Sequence, residues 1–243
     1  MQKELSIALV QNDLIWKDKE VNLSNIEKMI SSIKEEVDIL VLPEMFTTAF
    51  CVDDMELAEE MNGATVQWMQ GIAKRINTAI CGSILFKEKE HYYNRFLFVE
   101  PNGNIHHYDK HHLFSLVGEE KNLTKGTSKI LIVYKGWKLQ PFICYDIRFP
   151  AWCQNDDNAD IQLYVANWPE RRIHAWKTLL CARAIENQCY VVGVNRVGLD
   201  GNDIYYSGDS LVIDPLGEVL YHMAHEEDVF TITLEKEKLD EVR

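Results

Sequence analysis

Three side chains in this sequence bring together the groups that acyl transfer through sulfur requires: a thiol, a carboxylate and an ammonium. Cys144 stands in FICYDIRFP, between an apolar run and a charged turn. Glu44 stands in LPEMF, directly behind the apolar run VDILVL and Pro43. Lys110 stands in YDKHHLF, behind NIHHYD. An activated thiol attacks a carbonyl carbon. A carboxylate buried beside apolar residues has its pKa raised toward the range of a general base at neutral pH. A fixed ammonium stabilises the oxyanion of a tetrahedral intermediate. Taken singly, each has a plainer reading: a lone cysteine at a strand end is more often core filling, and a lone lysine is usually solvated. The carboxylate is harder to dismiss, because unpaired carboxylates are rarely buried beside apolar runs. Cys144 also differs from Cys51, Cys81, Cys153, Cys181 and Cys189 in its flank. Pro150 suits the first turn of a helix, and a helix starting there aims its positive end at the thiol and lowers its pKa.

The elements that must position these groups follow from periodicity. Apolar runs predict strands at 7–10, 37–42, 78–86, 130–134, 139–143, 161–166, 190–194 and 229–234, and helical spacing predicts helices at 21–34, 64–76 and 169–187. PNGN between strands 96–100 and 105–108, and DPLG between strands 209–213 and 218–222, read as hairpin turns. Early alternation of strand and helix implies parallel strands covered by helices, and the later hairpins imply antiparallel additions to the same sheet or to a second one. No repeat, low-complexity stretch or linker interrupts residues 1–243, which read as one domain. Sites in open α/β sheets form outside the carboxyl ends of strands. Glu44, Lys110 and Cys144 each follow an apolar strand, so parallel strands bring all three to one mouth.

Composition narrows the partners. Lys and Arg number 25 against 38 Asp and Glu, a formal net charge of −13, which disfavours nucleic acid and anionic membranes but not a small anion in a local pocket. No stretch has the roughly 20 apolar residues of a membrane span, and MQKELSIALVQND lacks a signal-peptide pattern. Six cysteines without a CxxC pair suit free thiols in a reducing cytoplasm. His106, His107, His111 and His112 lack partners at metal-site spacing, so no metal is expected. Neither a GxSxG elbow nor a glycine-rich phosphate loop is present.

With Glu44, Lys110 and Cys144 in that order, and with ARAIENQCYVVGVNRVG and GDSLVIDPLGEV following, the chain resembles the nitrilase, or carbon–nitrogen hydrolase, superfamily over nearly its whole length. The resemblance implies an α/β fold, a four-layer α-β-β-α sandwich that usually dimerises through helices, and a cofactor-free Glu-Lys-Cys triad. It also implies a second glutamate between lysine and cysteine, for which Glu119 is the better match and Glu120 the alternative. CYDIRFP looks like the amidase branch rather than the CWE pattern of nitrilases. PEMFTTAF and VANWPERR are similar to the bacterial ω-amidase group, which hydrolyses the terminal amide of 2-oxoglutaramate and 2-oxosuccinamate; Ala49 stands where such motifs often carry glycine.

On that reading, Glu44 takes the Cys144 proton, Lys110 and the Tyr145 backbone N–H hold the oxyanion, and Glu119 orients Lys110 or the amide. Phe46 and Trp168 are expected at the substrate wall. A substrate carboxylate needs a cation, and Arg171 and Arg172, just past the strand ending at Ala166, are placed to supply it. A nitrile hydrolase, an N-carbamoyl amidase, a non-catalytic binding protein and a redox-sensing thiol pairing Cys144 with Cys153 are the competing readings.

Overall fold

The computed structural model describes residues 2–243. Strands β1 (Glu4–Gln11), β2 (Ile39–Val41), β3 (Ala79–Glu88), β4 (His91–Val99) and β5 (Ile105–Asp109) form one sheet with β13 (Asp228–Glu235), in the order β13-β1-β2-β3-β4-β5. The second sheet holds β6 (Ile132–Tyr134), β7 (Trp137–Ile143), β8 (Ile161–Val165), β9 (Tyr190–Val194), β10 (Val197–Leu199), β11 (Tyr205–Ile213) and β12 (Val219–Ala224). β1, β2 and β3 are parallel, and β5, antiparallel to β4, runs in their direction. β7, β8 and β9 form the parallel centre of the second sheet.

Alternation along β1 shows how the layers are built. Ala8 and Val10 pack with residues of α1 (Lys19–Ile30) and α2 (Ala64–Ile76), while Leu5, Ile7 and Leu9 join a core shared with the second sheet. Trp176, Leu180 and Ala184 of α4 (Ile173–Asn187) belong to that larger core and lie against β9 and β11. The result is helix, sheet, sheet, helix, the four-layer sandwich expected from the resemblance.

The starts of α1 and α2 are held by side chains. The Asp18 carboxylate accepts the Val21 N–H at the first turn of α1. Gly63 precedes α2 without a side-chain cap, and Glu59 substitutes from a distance, accepting the N–H and the hydroxyl of Thr65 at 2.8 and 2.6 Å and an ion pair from Lys19.

Several elements differ from the sequence expectation. No helix begins at Pro150. Instead Cys144–Arg148 is itself a tight 3₁₀ turn, followed by irregular chain through AWCQNDDN. Asp146 explains this, because its carboxylate reaches back to the Ile143 N–H at 3.1 Å and closes the turn upon the strand end. β11 starts at Tyr205, four residues ahead of expectation, because positive φ at Gly208 (74°) and Asp209 (57°) makes a bulge that breaks the apolar pattern without ending the strand. The short β10, α3 (Glu119–Asn122) and the terminal α5 (Lys236–Val242) carried no periodic signal of their own.

Candidate active site

The carboxyl ends of β2, β5, β7 and β8 lie at one end of the two sheets and deliver Glu44, Lys110, Cys144 and Asn167 to a common place. Lys110 Nζ donates to Glu44 Oε1 at 2.9 Å and to both Glu119 oxygens at 3.1 and 3.0 Å, with all three side chains fully buried. Asn94 Nδ2 donates to Glu44 Oε1 at 2.7 Å and to Glu119 at 3.4 Å. The Asn167 N–H donates to Glu44 Oε2 at 2.7 Å, and the Asn167 side-chain amide donates to the Glu44 carbonyl. Glu44 is therefore held at both oxygens and at its own backbone.

Cys144 belongs to the other sheet and closes the site from that side. Its thiol lies 3.9 Å from the Asn167 carbonyl oxygen, and its φ of 46° is a left-handed conformation that an L-residue adopts only under constraint. That constraint is built by Asp146. Besides Ile143, its carboxylate accepts the Tyr108 hydroxyl at 2.7 Å and the His112 N–H at 2.8 Å, with the His112 ring nitrogen at 2.9 Å. One buried carboxylate thus ties the Cys144 turn to the strand and loop that carry Lys110. The N–H of Tyr145, second in the turn, precedes the first i→i+3 bond and has no partner within it.

Electrostatics follow burial. Burial, the Glu44 charge and the Glu119 charge hold the Cys144 thiol well above its ordinary value, against the opposing pull of Lys110. Burial alone lowers Lys110, but the Glu119 and Glu44 carboxylates outweigh it and raise its pKa. Glu119 is raised by burial and by the neighbouring Glu44 charge, with Lys110 opposing. The resting thiol is therefore protonated at neutral pH, the reverse of the depressed pKa that a helix at Pro150 implied. Its activation requires an acceptor rather than a preformed thiolate.

A cavity of about 310 Å³ opens onto Cys144 and Lys110, walled by Trp16, Phe50, Phe114, Tyr145, Trp168 and Tyr206 among others. Trp168, Tyr145, Arg171 and Arg172 line it as the sequence suggested. Phe46 does not. It is fully buried in the core under α2, 6.1 Å from Trp68, and fills the space where a side chain at Gly82 would lie. Phe50, four residues on, takes the wall position, its ring 5.1 Å from Lys110 Nζ. Glu119 rather than Glu120 is the second glutamate of the cluster, and its carboxylate also accepts the Phe114 N–H at 2.6 Å. Ala49 adopts φ 57°, the conformation for which glycine is the cheapest residue. Cys153 is buried with its thiol 3.2 Å from the Asp146 carbonyl, and all six cysteines are free. Among the described residues no group of three or more His, Cys, Asp or Glu is arranged to hold a metal.

Asn94, Asn167 and Asp146 were not singled out from the sequence. Asn167 stands directly after the apolar run IQLYVA, the same signal that marked Glu44, and could have been found by it. Asn94 gave no such signal, because it lies inside β4, on a stretch whose polar and aromatic mixture hid the strand.

A family model described as carbon-nitrogen hydrolase matches residues 6–243. Over 218 residues the chain is 44% identical to omega-amidase YafV of Escherichia coli, covering 89% of this chain and 84% of that protein. It is 34% identical to a 2-oxoglutaramate amidase of Bacillus subtilis, covering 98% and 93% of the two chains. Among solved structures, a CN-hydrolase superfamily protein of Xanthomonas campestris with an arsenic adduct in its active site superposes with a TM-score of 0.96 at 40% identity, over 99% of this chain and 94% of that one.

Proposed function

The chain belongs to the carbon–nitrogen hydrolase family, and we propose that it hydrolyses the terminal amide of small 2-oxo dicarboxylic acid monoamides, 2-oxoglutaramate and 2-oxosuccinamate, to the acid and ammonia. The 44% identity to an omega-amidase carries this reading, and a cavity bearing Cys144 together with two arginines agrees with it.

The mechanism derives from the site geometry. Glu44 accepts the Cys144 proton as sulfur attacks the amide carbon, and the carbonyl electrons move onto oxygen. Lys110 and the Tyr145 N–H stabilise that oxyanion, each donor contributing about 3 kcal/mol. Glu44 returns the proton to nitrogen, the carbon–nitrogen bond breaks, and ammonia leaves a thioester on Cys144. Water then gives a proton to Glu44 and attacks the thioester. Collapse of the second intermediate breaks the carbon–sulfur bond, and the thiolate recovers its proton from Glu44. Glu119 holds Lys110 in place while staying out of the proton path. Arg171 and Arg172 take the substrate carboxylate.

No helix among the described residues is long and apolar enough to cross a membrane. We assign the protein to the cytoplasm, as a homodimer with a small amide as its partner. The deciding assay is ammonia release from 2-oxoglutaramate, glutamine, an N-carbamoyl amine and a simple nitrile. Turnover of 2-oxoglutaramate that disappears in Cys144→Ala is expected; turnover confined to another of these substrates discards the 2-oxo amide.

A further inference from the structure

On the inter-sheet face of β4, Asn94 stands in line with Phe96 and Phe98, which both pack in the core shared by the two sheets. Its side-chain Nδ2 donates to Glu44 Oε1 at 2.7 Å and to Glu119 Oε1 at 3.4 Å, and its backbone carbonyl accepts the Lys110 N–H at 2.9 Å. One neutral residue thus touches all three charged members of the cluster. Its side-chain oxygen, however, is buried and has no hydrogen-bond partner among the described residues. An unpaired buried acceptor is costly, and an apolar side chain of similar size escapes that cost. The Asn94 amide is therefore kept for its N–H groups. A carboxylate offers about four lone-pair sites, two on each oxygen. Glu119 has its sites covered, because Oε1 accepts from Lys110 and Asn94 while Oε2 accepts from Lys110 and the Phe114 N–H. Glu44 Oε1 is covered as well, by Lys110 and Asn94. Among the described residues, Glu44 Oε2 accepts only the Asn167 N–H, and it lies on the side of the Cys144 thiol, itself 3.9 Å from the Asn167 carbonyl oxygen.

We propose that Asn94 is a positioning residue that keeps Glu44 and Glu119 from sharing a proton, and so leaves Glu44 Oε2 as the one place on the carboxylate pair where a proton can land. Without its amide, Glu44 Oε1 and Glu119 Oε1 each have a bare lone pair beside the same Lys110 nitrogen. Two buried carboxylates so placed hold a proton between them, because like charges resist ionising side by side. A proton parked there faces Lys110 rather than the thiol, and Glu44 is then no base for Cys144. The donor has to be neutral, since a second cation would hold the carboxylate charge too firmly for Glu44 to accept a proton. This deepens the proposed function and rests on it in taking Glu44 as the base.

The test is the pH dependence of kcat in Asn94→Val and Asn94→Thr, side chains of one shape that differ by a hydroxyl donor. The titratable groups facing Glu44 are Lys110 after β5, Glu119 on α3, the Cys144 thiol on its turn and the Tyr206 hydroxyl on β11. Lys110, Cys144 and Tyr206 are all raised and stay protonated in acid, so the acid limb belongs to the two carboxylates. Losing a donor disfavours their charged forms, and the limb should move to higher pH, by about 1 to 2 units for a hydrogen bond to a charged group. With 2-oxoglutaramate, Asn94→Val should lower kcat at neutral pH with KM little changed, and kcat should climb back toward wild type above the moved limb. Asn94→Thr should fall between the two. In a Glu44→Gln background Asn94→Val should add little, because the shared proton has lost one of its carboxylates. A readout that needs no substrate is the infrared C=O stretch of a neutral carboxylic acid. In Asn94→Val it should appear at a pH where surface carboxylates are still ionised, and Glu44→Gln should abolish it. A kcat lowered equally at every pH, an acid limb that stays in place, or costs of Asn94→Val and Glu44→Gln that simply multiply each overturns the proposal. Should Asn94→Val not fold, Asn94→Ala carries the same readings. A protein that shows the moved carboxyl band yet is silent on 2-oxoglutaramate retires that substrate and keeps the role of Asn94.

Discussion

Cys144 is protonated at rest because burial and two nearby carboxylates outweigh one lysine. Its alkylation by iodoacetamide should therefore keep accelerating as pH rises through 9.0, the ordinary thiol value. A plateau reached below pH 8 would mean a resting thiolate–lysine pair and a different division of labour. In the proposed mechanism Glu44 takes the proton only during attack, so turnover should survive at neutral pH and Glu44→Gln is expected to lower kcat by about 10²- to 10⁴-fold with the melting profile retained. Glu44 and Cys144 were legible because each closes an apolar run, a pattern that burial makes expensive unless it has a use, and Lys110 by its place directly after the strand in NIHHYD. Asn94 and Asp146 were not, since their roles lie in bonds to residues 50 and 38 positions away in the chain. A hydrogen bond of that kind exists only after the sheets have met.

At the level of elements, strand ends position and helix starts stabilise. Sequence periodicity located α2 to the residue and most strands to within a few residues, because buried faces impose their period directly. The preference of proline for a first helical turn pointed to a helix at Pro150, and it lost to the Asp146 carboxylate, which closes a turn at the end of β7. The cap of α2 is a similar long-range device and gives a testable cost. Glu59 has its pKa lowered: burial pushes it up, but two bonds from Thr65 and the Lys19 charge more than offset this. A folded value below the ordinary 4.5 means that its contribution is present above pH 4.5 and disappears as pH falls through the lower folded value. Glu59→Gln should cost about 1 kcal/mol at pH 7, read as a lower midpoint in urea, and the gap from wild type should close in acid. A gap that is constant with pH would assign the effect to shape rather than charge.

At the scale of the whole molecule, association of copies and capture of an anionic substrate should respond to salt in opposite directions. Ile185 near the end of α4 lies against Gly217, Leu216 precedes that glycine on the β11–β12 turn and Val219 opens β12; all three apolar side chains are more than half exposed. We place the homodimer contact proposed above on this face, because exposed apolar side chains grouped on a strongly charged surface favour association and a second copy offers the same group by symmetry. Scattering measured on the eluting protein should thus give twice the 28.2 kDa of one chain. Ile185→Glu combined with Leu216→Glu should halve it, and an unchanged mass would exclude this face. Two copies that each carry −13 repel, so screening favours their association, and the dimer should tighten as salt rises. The capture of an anionic amide that we propose for Arg171 and Arg172 weakens under the same screening. Salt should therefore raise the dimer fraction while lowering kcat/KM for anionic amides alone, a divergence that neither loss of folding nor loss of the dimer can imitate.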